Sequence, residues 1–288
     1  MHRQFRTAAT VFILLGGLTG CANDILTTSI NAKREAAPDE NINAPKAEAV
    51  IRVAKATAES GNWPMAATLY RRAHTLHPGN LNAAIGLGSM LTKLGAHQEA
   101  MTVFLKALKI SPNDPAALRA AGNSLILSGQ PANALEYFTK ALAVKEEPRL
   151  FNSVGVTYDM LDKYGMAQAY YRTGLKTAPG DMSLRNNLGL SLMLSGRVHD
   201  SVVELRKVAS DRRANKRHQL NLVLALVMAD ELHPALSIAK MVLPPGEAQD
   251  QVTNFQMIKA LGNPVAIRNA IRAHITGAPV TEQVSAAQ

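Results

Sequence analysis

Residues 81–114 read LNAAIGLGSMLTKLGAHQEAMTVFLKALKISPND. Apolar residues lie three and four positions apart on both sides of Gly95, which predicts two short amphipathic helices joined by a turn. The small residues Gly88 and Ala100 fall where two crossing helices would approach closely, and a larger side chain there would push them apart. Pro112 cannot continue a helix interior, so it predicts the end of the unit. The stretch therefore predicts a helical hairpin, and the same pattern returns before and after it.

The spacing of the apolar and small residues in this stretch is that of a known repeat. The positions that carry it are Leu87, Gly88, Leu91, Gly95, Ala100, Phe104, Ala107 and Pro112. They resemble the tetratricopeptide repeat, whose period is about 34 residues. We predict six tandem copies, with bounds 47–80, 81–114, 115–147, 148–181, 182–215 and 216–249. The sixth copy is degenerate. Two further helical stretches within 250–276, broken at Gly262-Asn263-Pro264, predict a C-terminal capping pair.

The resemblance implies an all-α fold, a right-handed superhelical solenoid with a long concave surface, in which each unit contacts only its neighbours. In that family the first helix of each repeat lines the concave surface. The groove positions carried over by this resemblance are Asn82, Ile85, Ser89, Arg119, Asn123, Ile126, Arg149, Asn152, Val156, Asn186, Leu190 and Met193. Asparagine offers a donor and an acceptor, so these amides would hold the backbone of a bound peptide while apolar members take its side chains. The alternative is an ordinary solvated helix face.

The N-terminal residues 1–20 predict a lipoprotein signal peptide. Arg3 and Arg6 give it a positive start, and the apolar run over residues 8–18 is too short for a permanent bilayer span. The run ends in Leu-Thr-Gly-Cys at Cys21, which resembles the lipobox of bacterial lipoproteins, and Cys21 is the single cysteine of the chain. The resemblance implies lipidation of Cys21. The alternative is an apolar N-terminus with an incidental cysteine.

Ala22 follows the cysteine where an inner-membrane retention signal usually has aspartate, so the resemblance implies the outer membrane, with the protein facing the periplasm.

Two further segments predict irregular structure. Residues 21–46 are polar, contain Pro38 and Pro45, and predict a flexible tether. Residues 277–288 predict a flexible tail.

The chain carries 31 Lys and Arg against 22 Asp and Glu, a formal charge of +9. Removal of the leader leaves 29 positive side chains and a charge near +7, which favours an acidic partner or an anionic surface. A basic patch, opposed in sequence by Asp211 alone, consists of Arg206, Lys207, Arg212, Arg213, Lys216 and Arg217. This patch would meet an acidic protein or lipid head groups, or it is a solvated helix end. Nucleic acid is not expected as a partner, because aromatic platforms and reading motifs are missing.

The sequence does not predict an enzyme. His74 and His77 are three residues apart near a helix end but have no Cys or carboxylate pair beside them, so we predict no metal site. The glycines of residues 86–89 do not form a phosphate loop, because no strand precedes them and no lysine follows at the required offset. Nucleophile elbows and paired catalytic acids are not found either. We therefore expect no cofactor and no small-molecule substrate.

The lipobox, the short tether and the six repeats together resemble the tetratricopeptide lipoproteins of pilus and secretion machinery, in particular those of the Tad-type (Flp) tight-adherence pilus. The resemblance implies an outer-membrane assembly factor that helps a secretin channel to form or localise and binds a segment of another pilus protein. One alternative is a lipoprotein scaffold for another envelope assembly, such as outer-membrane protein insertion or peptidoglycan synthesis. Another is an enzyme, or an accessory to one, on a helical scaffold.

Overall fold

A computed structural model describes residues 40–276 of the chain, with side chains over residues 44–275. Every regular element in this part is an α-helix, and the helices follow one another with short connections. They are α1 (Glu40–Glu59), α2 (Trp63–Leu76), α3 (Leu81–Lys93), α4 (His97–Ile110), α5 (Pro115–Leu127), α6 (Pro131–Val144), α7 (Pro148–Met160), α8 (Tyr164–Thr177), α9 (Met182–Leu194), α10 (Val198–Ala209), α11 (Lys216–Met228), α12 (Leu232–Val242), α13 (Pro245–Lys259) and α14 (Pro264–Thr276). The predictions for the signal peptide, Cys21, most of the tether and the tail lie outside the described residues.

Each odd-numbered helix forms a hairpin with the even-numbered helix that follows it, and one backbone feature recurs in all seven hairpins. The turn contains a residue with positive φ, where glycine has no steric penalty and aspartate a modest one. These residues are Gly61, Gly95, Gly129, Asp162, Gly196, Asp230 and Gly262. Their nearly constant spacing extends the repeat through the degenerate sixth unit and the capping pair.

Asparagine and aspartate side chains begin several odd-numbered helices. The side-chain oxygen of Asn80 accepts the N–H of Ala83 at 2.9 Å at the start of α3. Asp114 caps α5 in the same way, through the N–H of Ala117 at 2.7 Å. Such caps satisfy backbone donors that have no partner within the helix, so the residues that end one repeat also begin the next.

In the four hairpins from α3 to α10, the even-numbered helix places a large side chain over a glycine of the odd-numbered helix. A Cβ atom added at Gly88 would lie 2.5 Å from the ring of Phe104, and one at Gly122 would lie 2.6 Å from the ring of Phe138. Both rings are fully buried. The two helix axes can approach this closely only because the glycine has no side chain.

Consecutive helices pack against each other throughout the array, and the odd-numbered helices also pack on the next odd-numbered helix. The odd-numbered helices α1 to α11 therefore form one continuous surface, which we call the inner face. The predicted all-α fold is confirmed, and the sequential antiparallel packing is consistent with a tetratricopeptide solenoid.

The structure corrects two predicted boundaries. The tether was predicted to extend to residue 46, but α1 begins at Glu40 and continues through Pro45. Ala47 and Ala54 of α1 are fully buried, and this packing outweighs the helical hydrogen bond that Pro45 cannot donate. The sixth repeat was predicted to end at residue 249, but α13 begins at Pro245. Proline is favoured at the first helical position, where its missing N–H is not needed.

Candidate functional site

Eight of the predicted groove residues, two from each helix, mark the groove on the inner face. They come in pairs from four consecutive odd-numbered helices: Asn82 and Ile85 on α3, Arg119 and Asn123 on α5, Arg149 and Asn152 on α7, and Asn186 and Leu190 on α9. Because each of these helices packs on the next, the structure brings the four pairs onto one surface.

These residues differ in how far a partner could reach them. Asn82, Asn123 and Arg149 are exposed. Ile85 is half-buried, as are Arg119, Asn152 and Asn186. Leu190 is only 6% exposed and belongs to an apolar cluster at the C-terminal end of the array. The accessible part of the predicted groove is therefore on α3, α5 and the start of α7.

Two of the predicted groove asparagines form hydrogen bonds between helices. Asn187 donates to the side-chain oxygen of Asn152 at 2.8 Å, and Asn221 donates to that of Asn186 at 2.9 Å. Asn186 also donates to Asn187 at 3.2 Å, which completes a chain of amides across α7, α9 and α11. Asn221 is buried, so its bond to Asn186 satisfies a polar group that water does not reach. Asn152 and Asn186 thus join neighbouring hairpins.

Sequence reasoning missed Asn187 and Asn221. In both direct bonds between helices the donor follows the acceptor by 35 residues, which is one repeat plus one position. That offset was the available signal, because residues one repeat apart occupy equivalent positions on adjacent odd-numbered helices.

A partly buried carboxylate lies at the C-terminal end of α7. The hydroxyl of Ser191 donates to one oxygen of Asp159 at 2.5 Å, and the hydroxyl of Tyr171 donates to the other at 2.8 Å. Burial raises the pKa of Asp159 to about 6, although both hydrogen bonds act to lower it. This carboxylate joins α7, α8 and α9, and no feature of the sequence distinguished Asp159 from a surface aspartate.

The C-terminal helix α14 contacts the same region. Arg272 donates to the backbone carbonyl of Asp159 at 3.0 Å, to the carboxylate of Asp162 at 2.6 Å and to the hydroxyl of Tyr164 at 2.8 Å. Arg217 at the start of α11 donates to the carbonyl of Ile275. The C-terminal part of α14, which contains Arg272 and Ile275, therefore contacts both the end of α7 and the start of α11.

The basic patch lies at the end of α10, in the connection to α11 and in the first turn of α11, and all six side chains are exposed. Three carboxylates oppose them, through the pairs Lys207–Glu204 at 2.9 Å, Arg206–Glu231 at 3.7 Å and Arg213–Asp211 at 2.7 Å. Glu204 lies on α10 three residues before Lys207, just outside the stretch that contains the six basic residues, and Glu231 lies at the start of α12, so the sequence of that stretch indicated Asp211 alone. The patch is consequently less positive than predicted, and exposed pairs of this kind contribute little stability.

Residues 40–276 contain neither a metal-binding cluster nor a helix able to cross a membrane. No group of three or more His, Cys, Asp or Glu side chains in this region is arranged to hold a metal ion. Within the same range, none of the helices combines the length and apolar character needed to cross a membrane. An open depression of about 370 Å³ lies between α4 and the end of α5, beside His97 and Leu125.

Comparison with protein families identifies the same kind of repeat. Residues 54–115 match the tetratricopeptide repeat model. A search of curated protein sequences finds no significant relative.

Solved tetratricopeptide structures cover most of the array. PilF of Pseudomonas aeruginosa is 17% identical, with a TM-score of 0.63 over 76% of this chain and 98% of that chain. PilW, described as a widely conserved type IV pilus biogenesis factor, is 21% identical, with a TM-score of 0.63 over 74% of this chain and 98% of that chain. A thermophilic tetratricopeptide protein of Thermus thermophilus is 18% identical, with a TM-score of 0.56 over 63% of this chain and 99% of that chain. At these identities the similarity is one of fold.

Proposed function

We propose that this protein is a lipid-anchored scaffold of the outer membrane, facing the periplasm, that binds a segment of a partner protein on its inner face during assembly of a Tad-type (Flp) pilus and its secretin. The observation that carries the binding role is the presence of three exposed polar side chains on three consecutive odd-numbered helices: Asn82 and Arg149 at the starts of α3 and α7, and Asn123 two turns along α5. The fold shared with PilF and PilW supports the pilus context, and the lipobox ending at Cys21 supports the anchor.

The chemistry of these three side chains fits an extended peptide. The amides of Asn82 and Asn123 can each donate and accept, as a peptide backbone requires, and Arg149 adds charged donors for a carbonyl or a carboxylate. Neighbouring helices lie about 8–10 Å apart, so three odd-numbered helices span roughly 20 Å. A peptide rises about 3.3 Å per residue when extended, so a segment of at least about six residues crosses the three helices.

A crosslinking pull-down from the native envelope with tagged full-length protein tests this function. We expect recovery of a secretin or another component of the pilus, and loss of that recovery when Asn82, Asn123 and Arg149 are all replaced by alanine. A matched control replaces three exposed residues of even-numbered helices by alanine, namely Thr102, Asn133 and Arg172. Equal recovery with both triple variants would contradict binding on the inner face. Recovery of an unrelated envelope complex would support a scaffold for that assembly and overturn the pilus assignment.

The anchor has a separate prediction. Cys21→Ala removes the thiol that would carry the lipid, so we expect the protein to move from the outer-membrane fraction to the soluble periplasmic fraction, since stable anchoring requires several acyl chains. Fractionation with immunoblotting measures this, and Thr28→Ala, which leaves the cysteine intact, should stay with the membrane. Cys21→Ala protein that remained in the outer-membrane fraction would show that anchoring has another cause.

A further inference from the structure

Helix α14 does not pack as the other even-numbered helices do. In the first six hairpins the even-numbered helix packs extensively on its odd-numbered partner, whereas α14 packs only lightly on α13. Its polar contacts reach far back along the chain instead, because Arg272 pairs with Asp162, which precedes it by 110 residues. This helix therefore occupies a surface that belongs to earlier hairpins.

The surface beneath α14 is part of an apolar stripe on the inner face. Near the ends of α5, α7 and α9 the equivalent positions are Leu127, Met160 and Leu194. Leu127 is 62% exposed and Met160 is 41% exposed, but Leu194 is buried in the cluster that includes Ile271 of α14. The cluster contains further inner-face residues of α9 and α11, namely Leu190, Met193, Leu224 and Val227. The stripe is thus open on α5 and α7 and covered on α9 and α11.

The chemistry of α14 shows what this surface accepts. Ile267, Ile271 and Ile275 are spaced four residues apart, so they form an apolar row on one side of the helix, and all three belong to or pack on the cluster. Arg272 lies beside this row and meets the carbonyl of Asp159 and the carboxylate of Asp162. The ligand of this surface is an amphipathic helix with one basic side chain at its edge.

The attachment of α14 is limited. Of the side chains described between residues 264 and 275, Ala270, Ile271 and Ala273 are buried, as many as in α4 or α6 but fewer than the seven of α11. The ring of His274 also packs edge-on against Phe255 of α13, with the centroids 4.8 Å apart. The connection to α13 includes Gly262 with φ of 68°. Helix α14 is the last helix of the described residues and packs only lightly on α13. It can therefore leave the inner face while the preceding helices stay packed.

We propose that the surface on the inner face of α9 and α11, together with Asp159 and Asp162, is a second binding site, and that α14 is its internal occupant. The partner it takes is an amphipathic helix of another protein, with isoleucine or leucine residues four apart and an arginine in the place of Arg272. A bound helix would continue the apolar stripe toward the exposed Leu127 and Met160. This proposal rests on the proposed role in binding proteins, but it does not require that the partner belong to a pilus.

A labelled peptide of residues 263–276 tests the proposal, because it carries the surface of α14 itself. The full-length chain with Arg272→Ala loses charge-assisted hydrogen bonds that hold α14, and we expect it to bind the peptide at least about tenfold more tightly than the wild-type chain does. The same peptide with Arg272→Ala should bind that variant at least about tenfold more weakly. Arg172→Ala, an exposed change on α8, should behave as the wild type. Fluorescence anisotropy measures all four affinities.

Hydrogen exchange provides an independent measurement. We expect the amides of residues 264–275 to exchange faster than those of α11 in the wild-type chain, because α14 opens without unfolding of the array. Exchange of α14 as slow as that of α11, or absence of peptide binding to the Arg272→Ala chain, would overturn the proposal and make α14 a fixed part of the core. Ile275→Ala removes an apolar contact of α14 and leaves Asp159 and Asp162 of the site unchanged, so it replaces Arg272→Ala if that variant loses helical circular dichroism. A failed envelope pull-down leaves these measurements unaffected, so the two proposals can fail separately.

Discussion

Replacing Phe104 by alanine is expected to lower the free energy of unfolding by about 3–5 kcal/mol. The side chain is fully buried, and its ring lies directly over Gly88 in the partner helix. The glycine offers no side-chain atoms that could move into the space, and the two helices are held apart by the rest of the hairpin. The cavity therefore persists, and the lost contacts add to the lost burial of the ring. Urea denaturation followed by circular dichroism at a helical wavelength measures the change.

The neighbouring residue provides a matched control. Leu105 is 44% exposed on the same helix, so Leu105→Ala should cost less than about 1 kcal/mol. A second variant tests the mechanism, because a Cβ atom at Gly88 would collide with the Phe104 ring in the wild type but would occupy the cavity in Phe104→Ala. Gly88→Ala should thus destabilise the wild type and stabilise Phe104→Ala, a coupling that a double-mutant cycle measures. Additive effects of the two changes would contradict the packing that we describe.

The hairpins could be predicted from the sequence because their determinants are local and repeated. Gly88 and Phe104 lie on the two helices of one hairpin, so a single repeat contains both partners of the contact. The left-handed turn residue was evident as glycine in most repeats. In the remaining two repeats the turn residue is Asp162 or Asp230, which has the same left-handed backbone conformation. The sequence did not predict these two positions, because neither is a glycine.

The groove could be predicted only in part. The repeat register placed Asn152 and Asn186 on the inner face, and they lie there, but the register does not say whether an amide is free or bonded to the next helix. That depends on Asn187 and Asn221 one repeat later. The position of α14 could not be predicted from local sequence at all, because it depends on hydrogen bonds from Arg272 to groups 108 to 113 residues earlier. Contacts of that separation leave no periodic signal in a single sequence.

Asp159 provides the second large effect, which depends on pH. Burial raises the pKa of this carboxyl group to about 6 in the folded chain, from the ordinary value of 3.8. The folded state therefore holds the proton more tightly than the unfolded state does. The contribution of Asp159 to stability is fully present below about pH 3.8 and is lost as the pH rises through about 6. A shift of about two units corresponds to roughly 3 kcal/mol at neutral pH.

Asp159→Asn removes the ionisation and keeps a side chain that can bond to Ser191 and Tyr171. We expect its stability relative to the wild type to increase by about 2 kcal/mol between roughly pH 4.5 and pH 7.5. The comparison must be a difference between variants, because other groups act in the opposite direction. Burial lowers the pKa of His274, so this group adds stability as the pH rises through the same range.

Ser191→Ala gives the complementary result. It keeps the carboxylate of Asp159 but removes a hydrogen bond that lowers its pKa, so the pKa of Asp159 should rise further and the variant should lose more stability at pH 7.5 than at pH 4.5. Denaturation curves at the two pH values measure both variants against the wild type. The two changes thus alter the same carboxyl group with opposite signs at neutral pH. A difference between Asp159→Asn and the wild type that stayed constant with pH would show that Asp159 ionises normally. The carboxylate would then be hydrated, and the packing of α7 against α8 and α9 around it would have to be more open than the hydrogen bonds from Ser191 and Tyr171 indicate.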